Sequence, residues 1–398
     1  MNDSTELVEW LRLPESGFMF EVGSLYDRLD QLVDGRKAKG KRYALALLLL
    51  LMILAKLSGE DRPEGMAGWA RYRRAELIEL LPMERDSLPC ANTYRYGVQA
   101  AVEPAALQQV VSEFLCSQPG AGQSVLVSLD GKTMRGTLNA QQPSGVHLLA
   151  AYLPAEGLVL MQVAVESKTN EITAAPRLLK SLDLRGQVVM GDALHTQRAL
   201  SVQIVAAGGE YIWYAKDNQP RLHQDLKDLF VPEVCGPGSR PVPTDFVTSE
   251  QVDKAHGRIE KRTLTSSALL KDYLDWPQAQ QVFQLERSVS DLQNQHLRSE
   301  TVYGLTSLTA SEASADQLLA LTRQYWGIEN GLHYRRDVTL HEDATRMGNP
   351  RAAQIWSSLN NLLVGMLARL GFAYLPQARR FFDAQPVLAV HALTRRTL

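Results

Sequence analysis

Over the first 115 residues the apolar positions recur at helical spacing. Leu25, Leu29 and Leu32 form one stripe, and the run Ala44 to Ala55 (ALALLLLLMILA) is apolar on every face. At 12 residues the run falls short of the roughly 20 needed to cross a bilayer, so it predicts a buried core helix. Met66, Trp69, Ala70, Leu77 and Leu80 predict a helix over 66–81, closed by Pro82. The stretch Leu88 to Tyr96 reads as a turn opening a short helix, with Asn92 or Thr93 as N-cap. The pair is either a helix-turn-helix or an ordinary helical hairpin. A helix over Pro104 to Cys116 follows, and Gln118 to Gly122 reads as a linker.

The period changes at Gln123. Apolar runs at 124–130, 146–153, 158–165, 187–192 and 211–215 predict strands; helical spacing occupies 172–182, 196–207 and 222–229. The resulting order is strand, strand, strand, helix, strand, helix, strand, helix, which makes an α/β layer. Four prolines between 232 and 243 open a loop-rich stretch. Strand patterns follow at 245–252, 258–264, 281–289 and 298–305, so 231–308 reads as a β-rich insertion. A long helical pattern then runs from about 311 past Glu329, and another spans 352–370.

Composition narrows the class. The chain has 398 residues with 45% hydrophobic and 22% charged, which excludes a mostly disordered protein. Cys90, Cys116 and Cys235 form no CxxC pair, so neither a zinc knuckle nor a disulfide framework is supported, and a reducing compartment is expected. Met1 to Trp10 is acidic with no apolar core, so no secretory leader is expected. The formal net charge is −2, unlike the basic balance of a small nucleic-acid-binding module. The charge is segregated, however. Arg36, Lys37, Lys39, Lys41 and Arg42 place five cations within seven residues, either a solvated loop or a phosphate-contacting one.

Two strand patterns end in a carboxylate. Asp130 precedes Gly-Lys-Thr-Met-Arg-Gly136, and Asp192 follows Val188-Val-Met-Gly. Each alone reads equally as a turn residue. Together they suggest one site, because strands aligned in a sheet bring their ends together. At 3.6 residues per turn, Glu329 shares a helix face with Tyr325, His333 and Arg336; a structural ion pair with His333 or Arg336 is the alternative. The three acids stand 62 and 137 residues apart, so only folding can assemble them. Oxygen ligands without a Cys/His set suit Mg²⁺ or Mn²⁺, and a pair of such ions suits phosphodiester chemistry. His333 and His341 are further metal-ligand candidates, or structural histidines. Trp213, Tyr214, Tyr325 and Trp326 are either core or base-stacking groups.

Five ordered motifs carry a resemblance: Asp130-Gly-Lys-Thr-Met-Arg-Gly, Gly191-Asp-Ala-Leu-His-Thr-Gln, Lys216-Asp-Asn-Gln-Pro220, His256-Gly-Arg-Ile-Glu-Lys-Arg262 and Tyr325-Trp-Gly-Ile-Glu-Asn. Together they resemble the bacterial insertion-sequence DDE transposases, in particular the group of H-repeat-associated proteins. The segment from Asp34-Gly-Arg to Lys41-Arg-Tyr-Ala-Leu-Ala resembles that group's associated N-terminal domain. The resemblance implies an RNase H-like catalytic domain over 119–398, interrupted by the insertion and preceded by an all-helical DNA-binding domain over 1–118. Its acidic triad falls on Asp130, Asp192 and Glu329, with Asp337, Glu342 and Asp343 as alternatives for the third position. Arg336 stands where the family signature has a lysine, while Thr322 and Tyr325 depart from its tyrosine and arginine.

The implied activity is cleavage at an element's terminal repeats and joining of the ends to target DNA. Two Mg²⁺ or Mn²⁺ ions would activate the attacking hydroxyl and stabilise the leaving oxygen. Lys132, Arg135, Lys216, Asn218, Gln219, His256, Arg258 and Arg336 join the 36–42 cluster as expected DNA contacts. The expected partners are double-stranded DNA and a second copy of the chain, in a cytoplasmic, nucleoid-associated setting without membrane contact. A domesticated DNA-binding protein and a metal-dependent nuclease without strand transfer are the alternatives.

Overall fold

The computed structural model describes residues 23–81, 83, 85–118, 120–140, 143–165, 170–231, 244–255, 257–293 and 295–394. His256 and the Arg395–Arg396 pair lie outside the described residues. The strands are β1 (Leu126–Met134), β2 (Val146–Leu153), β3 (Leu158–Val165), β4 (Val188–Gly191), β5 (Glu210–Ala215), β6 (Val247–Ala255), β7 (Arg258–Ser267), β8 (Gln281–Asp291) and β9 (His296–Thr306). The chain forms two compact units. One comprises 1–124, 131–168 and 328–398; the other comprises 125–130 and 169–327. The chain passes between them several times, and β1 contributes residues to both.

The first unit is mainly helical. Helix Leu45–Leu57 is buried at every position, as its unbroken apolar run requires. The pattern over 66–81 is divided into helices Pro63–Tyr72 and Arg74–Leu80, because Arg73 leaves helical geometry (φ −105°, ψ 21°). Asn92 and Thr93 are not caps. Asn92 is itself helical with no side-chain cap bond, and Cys90 O accepts the first backbone bonds from Thr93 and Tyr94. Helix Pro350–Arg369 opens on Asn349, whose side chain accepts from the N–H groups of Arg351 and Ala352. It packs on helix Pro104–Cys116 and on β3. Gly365 permits that approach, since a Cβ there would sit 2.9 Å from Leu115 and 3.0 Å from Leu158. β2 and β3 form an antiparallel pair with the expected bounds.

The second unit is a mixed sheet in the order β1-β4-β5-β9-β8-β7-β6. β1, β4 and β5 are parallel; β9 joins β5 antiparallel and β8, β7 and β6 follow as a meander. The four late strand patterns therefore extend the sheet from β5. Helices Glu171–Lys180, Arg198–Ala206 and Pro220–Phe230 occupy the connections. Helix Ala315–Tyr325 starts at a capping box between Ser314 and Gln317 and packs on β6 and β7. Its apolar side joins a core with Met190, Ile212, Tyr214 and Phe283. The long helical pattern past 325 is interrupted at Trp326; beyond it, within the first unit, two π-helical turns span Glu329–His333 and Arg335–Thr339. No helix among the described residues is long and apolar enough to cross a membrane.

Candidate active site

In the second unit the strand register brings two acids together. Leu129 of β1 pairs with Gly191 of β4, so Asp130 and Asp192 are the next residues on adjacent parallel strands. Both are part-buried. Asp192 Oδ1 accepts the Leu194 N–H at 3.0 Å and caps a tight turn over Ala193–His195. His195 is buried against Glu171, with Nε2 3.3 Å from the carboxylate. Gly191 makes room for that ring, since a Cβ would lie 2.8 Å from His195 Cδ2. Tyr325 is buried beside the pair. Burial, and then the charges of Asp130 and Asp192, hold its hydroxyl well above the ordinary tyrosine range.

Asn218 and Gln219, the expected phosphate contacts, brace this turn. Asn218 Nδ2 donates to Ala193 O at 2.5 Å and Gln219 Nε2 donates to Thr196 O at 3.0 Å. Lys216 is exposed. Trp213, Tyr214 and Tyr325 are core residues, and only Trp326 of the four aromatic candidates is exposed.

In the first unit Glu329 and His333 meet across one π turn, at 3.4 Å from Oε2 to Nδ1. The His333 hydrogen bond, against some burial and with help from the Lys132 charge, keeps the Glu329 carboxyl below its ordinary range. Its side chain is 62% exposed. The other three acids nearby are committed to cations. Lys132 Nζ lies 2.7 Å from Asp337, 3.1 Å from Asp343 and 3.6 Å from Glu342. Burial raises Asp337, only partly offset by Lys132. Arg336 binds Glu342.

Three of the expected DNA contacts are buried among the protein's own groups. Lys132 is buried as the hub of three carboxylates, and Arg336 is buried with its donors filled by Glu342, Gln162 and Ser357. The reason is geometric: the wide turns rotate Arg336 off the face that ordinary helical spacing would give it. Arg36 is buried too, held by Asp34 and the Tyr43 carbonyl. Lys37, Lys39, Lys41 and Arg42 are exposed, as are Arg135 and Arg258. His341 sits at φ 51° against Asp61, a role that no local pattern announced.

The expected strand end at Asp130 is corrected: β1 runs on to Met134, so Asp130 lies within it, while Asp192 follows the last residue of β4. These neighbouring aspartates, with a glutamate on a later helical segment, agree with the family comparison. A model of the transposase DDE domain matches residues 121–364, and one of the DDE_Tnp_1-associated domain matches 26–115.

The chain belongs to the transposase DDE domain family.

Similar proteins include the "H repeat-associated putative transposase YhhI" of Escherichia coli, 25% identical over 354 residues and covering 87% of this chain and 91% of that protein. The "Uncharacterized protein in dhlA 3'region" of Xanthobacter autotrophicus is 32% identical over 243 residues, 61% of this chain and 78% of that protein. A piggyBac transposase synaptic complex with hairpin DNA gives a TM-score of 0.45 at 10% identity, covering 95% of this chain and 81% of that one. The DDE transposase is accordingly an enzyme of DNA transposition, and its domain implies divalent metal use.

Proposed function

We propose that this transposase cleaves DNA at the terminal repeats of an insertion sequence and joins the ends to target DNA, using Asp130, Asp192 and Glu329. The observation that carries the reading is the β1–β4 register, which sets Asp130, within β1, beside Asp192, the residue after β4, on adjacent parallel strands. Glu329 is the third choice because Asp337, Glu342 and Asp343 are already bound to Lys132 or Arg336. The carboxylate donor set fits Mg²⁺ or Mn²⁺, two ions per site, which when bound supply Lewis acidity at the scissile phosphate.

The chain's own residues do the positioning. The Leu194 N–H, Asn218 and Gln219 fix the turn that carries Asp192. The His333 hydrogen bond favours the ionised form of Glu329. The exposed cations Lys37, Lys39, Lys41, Arg42, Arg135, Lys216 and Arg258 take DNA phosphates, and the helices before residue 118 recognise the element ends. An RNase H-like arrangement of the parallel strands and a homodimer holding both DNA ends complete the proposal.

The test is purified protein with Mg²⁺ and DNA bearing the inverted repeats that flank the gene. Cleavage at the repeat ends followed by joining is expected. Binding without cleavage overturns the proposal, and cleavage without joining replaces it with a nuclease.

A further inference from the structure

A cavity of about 680 Å³ lies in the first unit, and none of the carboxylates described above lines it. Its walls include Arg62, Arg95, Tyr96, Arg346, Asn349 and Trp356. Its size falls in the range of small-molecule sites. Its charge is unbalanced. Of the three guanidinium groups, Arg95 alone has a carboxylate partner among the described residues, that of Glu64. Among the described residues Arg62 and Arg346 have no side-chain partner, and both are exposed. The helix Pro350–Arg369 begins at the cavity wall, so its positive dipole end adds to the field. This combination calls for an anion.

The aromatic groups narrow the anion further. Tyr96 is 56% exposed at the cavity, with the Arg95 guanidinium 5.9 Å from its ring centre. Trp356 is buried and donates Nε1 to the Asp61 carbonyl at 3.3 Å, which fixes its ring in the wall. An exposed ring in the same cavity as the two unpaired guanidinium groups suits a planar base joined to a phosphate. A duplex is too wide to enter a hollow of this volume, whereas one unpaired nucleotide fits.

We propose that this cavity binds a single nucleotide, its phosphate on Arg62 and Arg346 and its base against Tyr96. The nucleotide comes either from an unpaired stretch of DNA or from the free pool. Only the first source rests on the DNA-processing reading above.

Calorimetric titration with dTMP and with the hexamer (dT)6 tests the site in the full chain. Wild type is expected to bind at least one of them. Arg62→Ala with Arg346→Ala should weaken it at least tenfold, and Tyr96→Ala several-fold, with Tyr96→Phe retaining affinity. An unchanged melting temperature confirms that the variants fold. A much tighter hexamer assigns a DNA strand, and equal affinities assign a free nucleotide. No binding of either probe, equal binding by the arginine variant, or inorganic phosphate competing as well as dTMP overturns the proposal. Nucleotide binding that persists in a protein inactive on repeat-ended DNA would leave this site standing and remove the transposition chemistry.

Discussion

The Arg336 guanidinium and the Glu342 carboxylate form a buried ion pair, with hydrogen bonds of 2.7, 3.0 and 3.1 Å. Their side chains are 1% and 0% exposed. Gln162 accepts from Nη1 and Ser357 from Nη2 of the guanidinium, and Asn360 donates to the carboxylate at 2.8 Å. Every charge here has a partner, which is the condition for burying an ion pair. Removing one partner is expected to cost much more than removing both. Arg336→Met should lose about 3–5 kcal/mol of unfolding free energy in urea, because Glu342 is left buried and charged. Adding Glu342→Met should recover part of that loss; a double variant less stable than the single one contradicts this account.

The same pair sets a pH dependence. Burial alone would raise Glu342, but the Arg336 charge and hydrogen bonds outweigh it and hold the carboxyl below the ordinary range. The unfolded chain therefore takes up this proton at a higher pH than the folded one. The contribution is complete above the unfolded glutamate value of about 4.3 and is lost as pH falls through the lower folded value. Urea unfolding from pH 7 to pH 3 should show wild-type stability falling in the acid limb more steeply than that of Glu342→Gln. Equal slopes would remove Glu342 from the effect.

Gly136 closes the first motif because two chain segments meet there. A Cβ would stand 2.9 Å from Asp343 O and nearer still to Thr345 O, both backbone atoms that cannot swing aside. Asp343 is in turn bound by Lys132 and by the Arg135 N–H at 2.9 Å. Gly136→Ala should destabilise by about 1–3 kcal/mol, as overpacking does. A melting temperature equal to wild type argues against this close approach.

Asp130→Asn and Asp192→Asn preserve shape, and asparagine can still cap the 193–195 turn. Each should lower DNA cleavage by roughly 10³-fold or more while folding is kept, since charge at the metal position is what is removed. Glu329→Gln should do the same. Full activity in Glu329→Gln would move the third position to Asp337, Glu342 or Asp343.

Asn218 and Gln219 distinguish bracing from phosphate contact. If they hold the Asp192 turn, Asn218→Ala and Gln219→Ala should reduce cleavage about tenfold, a displaced catalytic group being costly. The salt dependence of DNA binding should stay unchanged. Lys216→Ala should instead lower the slope of log affinity against log salt by about 1, as loss of a phosphate contact does. A salt slope altered by Asn218→Ala would return the amide to the DNA.

Much of this architecture is local in origin. The apolar runs at 146–153 and 158–165 are strands with those bounds, and 45–57 is buried throughout, because hydrophobic period and length act over a few residues. The place of Asp192 just after β4 was legible for the same reason, as was the order of strands and helices through the α/β layer, whereas β1 runs past its expected end at Asp130 to Met134. Which charges serve the site was not legible. Lys132 reads as a free cation until Asp337, Glu342 and Asp343, more than 200 positions away, surround it. Arg336 reads as a neighbour of Glu329 until two π-helical turns change the period and send it inward to Glu342. The sequence by itself determined most of the elements and set Asp130 and Asp192 on strand patterns, since propensity and patterning are short-range. Only the tertiary structure decided which side chains are spent on one another, since burial and ion pairing depend on partners that sequence distance does not reveal.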